Sequence, residues 1–137
     1  MSPDRRPLLL LFALVVAGVL FPFEWLGEHW SPLGDIFLEL NDDSEHAVGH
    51  VILFTLLGLV TLAAFPWLLR KPLLYGTLLF VLAVGQEAFQ LAFKGRSLLF
   101  DDFRDVGIDV LSVALAYVLF GISSVVRRAG GDRDKTS

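Results

Sequence analysis

The sequence predicts an all-α fold, a four-helix integral membrane bundle with both termini cytoplasmic. Three observations predict it. Of the 137 residues, 55% are hydrophobic and the mean hydropathy is +0.65, too apolar for an ordinary soluble domain of this size. Four stretches, residues 7–23, 47–69, 72–93 and 106–126, come close to or reach the roughly 20 apolar residues that cross a bilayer core. Eight of the eleven Lys and Arg fall on the side that would hold both termini, as the positive-inside rule requires.

The first span follows Arg5 and Arg6, which give it the look of a signal peptide. Phe21-Pro22-Phe23-Glu24-Trp25 offers no small-residue cleavage site, so the segment is expected to stay as a helix, extending as far as Leu26. The connection that follows, Glu24 to His46, carries seven acidic residues and no Lys or Arg, which places it outside. Trp25 and Trp30 suit an interfacial aromatic belt. Ile36, Phe37, Leu38 and Leu40 are too few to span and fit a short interfacial helix or a re-entrant flap. Asp42-Asp43-Ser44-Glu45 supplies caps and carboxylates for the start of the second helix.

Arg70-Lys71-Pro72 reads as a tight cytoplasmic turn with proline opening the third helix. That helix carries Gln86, Glu87 and Gln90. Its eleven Leu, Phe and Val contribute about −3 to −7 kcal/mol toward insertion, which one Glu away from the midplane does not cancel. Ser112 and Ala116 in the fourth helix have small-xxx-small spacing, which suits close packing. The segment after residue 126 is polar and contains Gly130 and Gly131, a composition that predicts disorder; its basic residues are placed to meet anionic lipid.

Three polar pairs at helical spacing lie toward one side of the membrane: His46/His50, Glu87/Gln90 and Asp105/Asp109. Residues at i,i+3 or i,i+4 share a helix face. With both termini inside, the second helix starts outside, the third ends outside and the fourth starts outside. Glu87 then sits roughly 9 Å in from the outer end of its helix. Ionisable groups at membrane depth face a partner, a cavity or a substrate. Interhelical cohesion is one reading of the pairs; a binding pocket made of His46, His50, Glu87, Gln90, Arg96, Asp105 and Asp109 is the other. Arg96, just past Gly95, suits bidentate capture of a phosphate or carboxylate, or equally an ion pair with Glu87, Asp102 or Asp105.

Two His at i,i+4 with nearby carboxylates belong to the chemistry of zinc or iron. However, no HExxH or Glu-x-x-His pair occurs and Gln ligates such ions poorly, so no metal or cofactor is assigned. The acidic run 42–45 lacks EF-hand spacing for calcium. There are no cysteines and the formal charge is −4, which points away from thiolate sites and nucleic-acid partners.

The ordered set His50 and Phe54, Glu87-Ala88-Phe89-Gln90, Gly95-Arg96 and Asp105-Val106-Gly107-Ile108-Asp109 resembles the VanZ-like family of small bacterial membrane proteins, over about residues 44–121. His46 and Ala47 stand where the family often has Asp-Lys, and Ser112 stands where a Gly is common. The resemblance implies a multi-pass protein of the bacterial inner membrane, in a family associated with teicoplanin resistance. The function expected is binding of an amphiphilic cell-envelope or lipoglycopeptide-type molecule, a membrane lipid or a lipid-linked precursor. The alternative is an enzyme that modifies such a substrate, with His50 or Glu87 as catalytic acid–base candidates and Arg96 stabilising negative charge. A small transporter acting as a homo-oligomer ranks last, since the spans hold no ionisable group near the cytoplasmic side.

Overall fold

The computed structural model describes residues 5–21, 43–95, 97 and 99–133. Among these the chain is helical, with α1 (Arg6–Leu20), α2 (Asp43–Ala64), a short 3-10 helix (Pro66–Arg70), α3 (Pro72–Lys94) and α4 (Phe100–Arg133). α2, α3 and α4 are each long and apolar enough to cross a membrane. The interfacial segment expected around residues 36–40, the belt residues Trp25 and Trp30, and Arg96 lie outside the described residues.

Five boundaries differ from expectation: α2 begins at Asp43 rather than at residue 47, and each of the other four has a local reason. α1 ends at Leu20 rather than at residue 23, because Phe21 precedes Pro22 and takes extended angles, φ −76° and ψ 129°. Its 15 residues rise about 22 Å, less than the roughly 30 Å hydrocarbon core. α2 stops at Ala64 rather than continuing to residue 69: Phe65 precedes Pro66 and leaves helical geometry, and the chain tightens into the 3-10 turn. α4 begins at Phe100 rather than 106, so Asp101, Asp102 and Arg104 belong to the helix and not to a loop. Asp102 Oδ2 accepts the Leu99 N–H at 2.7 Å, the third helical residue reaching back to satisfy an orphan donor. The segment expected to be disordered continues α4 to Arg133; no proline interrupts it, and the Arg127 guanidinium bonds back to the Ser123 carbonyl at 3.3 Å.

α3 agrees with its expected span. Pro72 opens it, and Gly95 ends it in the left-handed region at φ 60°, donating its N–H to the Leu91 carbonyl at 3.0 Å. Only glycine takes that angle at no steric cost.

The most extensive helix contact is between α2 and α4. Its register is regular: His46 meets Asp105 and His50 meets Asp109, the same offset in both cases, so the two helices run parallel. Three turns along α2 from His46, Gly58 lies against α4 so closely that a Cβ would come within 2.7 Å of Ala116 Cβ and 2.6 Å of Tyr75 Oη. The small-residue stripe of α4 thus meets a glycine on its neighbour, which lets the backbones approach. Around this crossing Phe54, Leu57, Leu62, Leu79, Ala83 and Val113 form the core, which Val19 of α1 and Leu68 of the 3-10 turn join. Leu14, Ile52, Leu73, Val81, Leu111 and Val118 are exposed, as lipid-facing side chains are.

Candidate functional site

The site is assembled from one turn of each of three helices. α2 contributes His46 and His50 one turn apart, their rings 4.9 Å apart between centroids. α4 contributes Asp105 and Asp109 at the same spacing, and the parallel register matches each His to one Asp. His50 Nδ1 and Asp109 Oδ1 are hydrogen-bonded at 2.8 Å, with Asp109 fully buried. His46 Nε2 lies 3.5 Å from Asp105 Oδ2 and is more open, its side chain 37% exposed. Below the pair, Phe54 stacks parallel to the His50 ring, with centroids 6.3 Å apart, and fixes its plane one turn deeper.

α3 runs antiparallel to its neighbours and brings Glu87 into the same space. Glu87 is 6% exposed, and its ligand-capable oxygen, that of Asp109 and a ring nitrogen of His50 all lie within 4.8 Å of one another. The same holds for His46, His50 and Asp105. His50 belongs to both groups, so the helices build one continuous cluster.

The cluster is rich in acceptors and short of donors. Glu87 Oε1, Asp109 Oδ2 and Asp105 Oδ1 are all buried without a hydrogen-bond partner. Arg104 Nε approaches Asp105 Oδ1 to 3.7 Å, an ion-pair distance beyond a hydrogen bond. Burying a carboxylate without pairing or coordination is costly, and buried charges are accordingly paired or bound to metal.

Of the residues singled out by sequence, His46, His50, Glu87, Asp105 and Asp109 come together. Gln90 lies one turn from Glu87 on the same helix and is half-buried. Arg96 falls outside the described residues. Three residues stood outside the pocket expected from sequence: Gln86 and Asp102, both buried, and Arg104, which supplies a charge beside Asp105. The signal for Asp102 and Arg104 was the acidic first turn of α4, hidden because the apolar run that marks the span begins only at Val106.

Beyond Asp109 the chemistry changes. A groove of about 390 Å³ runs between α3 and α4, lined chiefly by apolar groups of Tyr75, Leu79, Phe80, Val110, Val113 and Val118. Val110, the next residue after Asp109, lines the groove, and none of the five clustered His, Glu and Asp side chains does. Phe80 and Val118 are exposed, which leaves its side open to the lipid phase.

No family model, curated protein or solved structure matches the chain.

Proposed function

We propose that this is a VanZ-like multi-pass protein of the bacterial inner membrane, with both termini cytoplasmic, that holds an amphiphilic cell-envelope molecule. α1 is the fourth membrane helix of this reading, and the polar cluster lies in the outer leaflet. The observation that carries the reading is that α3 and α4 bear both a buried polar cluster and an apolar groove. A site of that shape takes a molecule with a polar head and a hydrocarbon chain, and the groove volume of about 390 Å³ falls in the range of ligand pockets. His46, Gln90 and Arg104 stand at the rim, and Arg96 lies in the connection just beyond α3, placed in sequence to meet an anionic head.

Native mass spectrometry of protein released from mild detergent tests this. Wild type is expected to carry a lipid-mass adduct that is lost in Arg96→Ala and in Gly76→Phe. Gly76 lines the groove and a Cβ there meets nothing within 4 Å, so the new ring fills the groove without disturbing the helices. An adduct unchanged in both variants overturns the assignment.

The His50–Asp109 hydrogen bond supports the enzymatic alternative, since a base held by an orienting carboxylate is a common catalytic arrangement. Under that reading the adduct changes mass on incubation with wild type and stays unchanged with His50→Gln.

A further inference from the structure

The floor of the cluster has a different chemistry from its rim. His50 and Asp109 are nearly or fully inaccessible and Glu87 is closed off by the turns of α2 and α4. Two of these three residues are carboxylates, each with an oxygen that accepts no hydrogen bond: Glu87 Oε1 and Asp109 Oδ2. Asp109 uses its other oxygen, Oδ1, on His50. A third carboxylate, Asp105, lies within one turn; its Oδ1 accepts no hydrogen bond and has the Arg104 guanidinium at 3.7 Å. Cohesion alone does not account for acceptors facing acceptors. Interhelical hydrogen bonding pairs a donor with each acceptor, and here Glu87 Oε1 and Asp109 Oδ2 have none.

We propose that His50, Glu87 and Asp109 bind one divalent transition-metal ion of the zinc class. The donor set is one imidazole and two carboxylates whose ligand atoms lie within 4.8 Å of one another, close enough for small side-chain rotations to bring them to the roughly 2.0–2.2 Å of zinc–nitrogen and zinc–oxygen bonds. Linear motifs do not carry this set, since the three ligands come from three helices. His46 and Asp105, sharing His50 as a neighbour, stand around the ion. They complete its shell or hold the ligands in orientation, a role that such outer groups commonly play. Three protein ligands leave a coordination position open, as catalytic zinc sites do, and that position is available to a water or to an oxygen of a headgroup. A doubly charged ion also answers the electrostatics, because it neutralises two carboxylates in a medium where unpaired charge is expensive.

The ion site stands whether or not an amphiphile occupies the groove, and one experiment separates the two. Full-length protein in mild detergent is equilibrated with Zn²⁺, passed over a desalting column and measured for zinc by elemental mass spectrometry and for lipid by native mass spectrometry. About one zinc per chain is expected in wild type and in Thr61→Ala, whose hydroxyl bonds its own helix at Leu57 away from the cluster. Glu87→Gln is expected to weaken zinc binding by at least about 10-fold, the lower end of what losing even an outer-shell group costs. Asp109→Asn should do the same. Because Glu87 Oε1 has no hydrogen-bond partner to lose, Glu87→Gln keeps its helical circular dichroism and decides the matter even where Asp109→Asn does not fold. Co²⁺ loaded in place of Zn²⁺ should give visible ligand-field bands that Glu87→Gln abolishes. Folded wild type that keeps no zinc, or zinc retention equal in wild type and Glu87→Gln, overturns the proposal. Lipid without zinc would leave the groove reading standing and remove this one, and zinc without lipid the reverse.

Discussion

The contact between α2 and α4 has two ends built on opposite principles. At the end marked by Gly58 and Ala116, every polar group with a described bond donates to a backbone carbonyl: Thr61 to Leu57, Tyr75 to Val113 at 3.2 Å, and Tyr117 to Leu69 at 2.6 Å. Side chains there are small or apolar and the backbones lie close. At the other end, two turns away, the same helices carry His46, His50, Asp105 and Asp109, and Glu87 joins them from α3. Acceptors there outnumber donors, and three buried carboxylate oxygens accept no hydrogen bond. One end holds the helices together. The other is held by them, in an arrangement that packing does not require.

The sharpest way to break this division is to remove the one strong bond of the polar end. Asp109→Ala takes away the partner of a buried imidazole and leaves a hole in a fully buried position. Breaking a buried pair by deleting one member costs about 3 kcal/mol or more. Thermal unfolding in mild detergent with a chelator present measures that cost apart from any bound metal. If Asp109→Ala proves as stable as wild type under those conditions, the His50–Asp109 bond contributes no cohesion and the polar end is purely a site.

The next largest effect belongs to the packed end. In Gly58→Ala the new methyl would meet Ala116 Cβ at 2.7 Å and Tyr75 Oη at 2.6 Å. Tyr75 is buried and Ala116 is fixed to its helix, so neither yields cheaply and α2 and α4 must move apart. Overpacking of this kind costs about 2 kcal/mol. Zinc and lipid retention in the folded fraction should be unchanged, since the disturbance lies three turns from His46. A measured loss of less than a few tenths of a kcal/mol would mean the two helices slide past each other freely, and the fixed register that aligns both His–Asp pairs would lose its support.

Much of this fold was legible because lipid solvation and helical periodicity leave strong marks. Spacing placed His46 with His50 and Asp105 with Asp109 on shared faces, and the polar turns of three helices do meet. Two kinds of information were not legible. Hydropathy reports where a helix is apolar, not where it begins and ends. It therefore missed the polar first turn of α4, with Asp102 capping Leu99, and the polar continuation past Val126. In α2 the apolar run continues through Phe65 and Leu69 although the helix does not, because the proline constraint acts on backbone angles without changing polarity. The second gap is pairing across helices. A face shared along one helix does not say which carboxylate it will meet, and the one-to-one match of His46 with Asp105 and His50 with Asp109 follows from a parallel register set by Gly58 and Ala116 far along the chain. The ligand set of His50, Glu87 and Asp109 exists only once that register and the antiparallel course of α3 are known.

The smallest expected effects sharpen the comparison most, because they should differ in sign. Tyr75→Phe deletes a hydroxyl that donates to the Val113 carbonyl at 3.2 Å. An interhelical hydrogen bond in a membrane protein is worth about 0.6 kcal/mol on average, so unfolding in detergent should show a small loss. Glu87→Gln removes a carboxylate that is buried with an oxygen lacking any hydrogen-bond partner and puts a neutral amide of the same shape in its place, with donors the acceptor-rich cluster lacks. Measured in chelator, this variant should be as stable as wild type or more stable, because the desolvation cost of the carboxylate disappears. With Zn²⁺ restored the order should invert, since only wild type gains from binding the ion in the folded state. A residue kept for cohesion would lose stability under both conditions. Stability that rises on removing Glu87 without metal and falls with it is the signature of a group retained for what it binds.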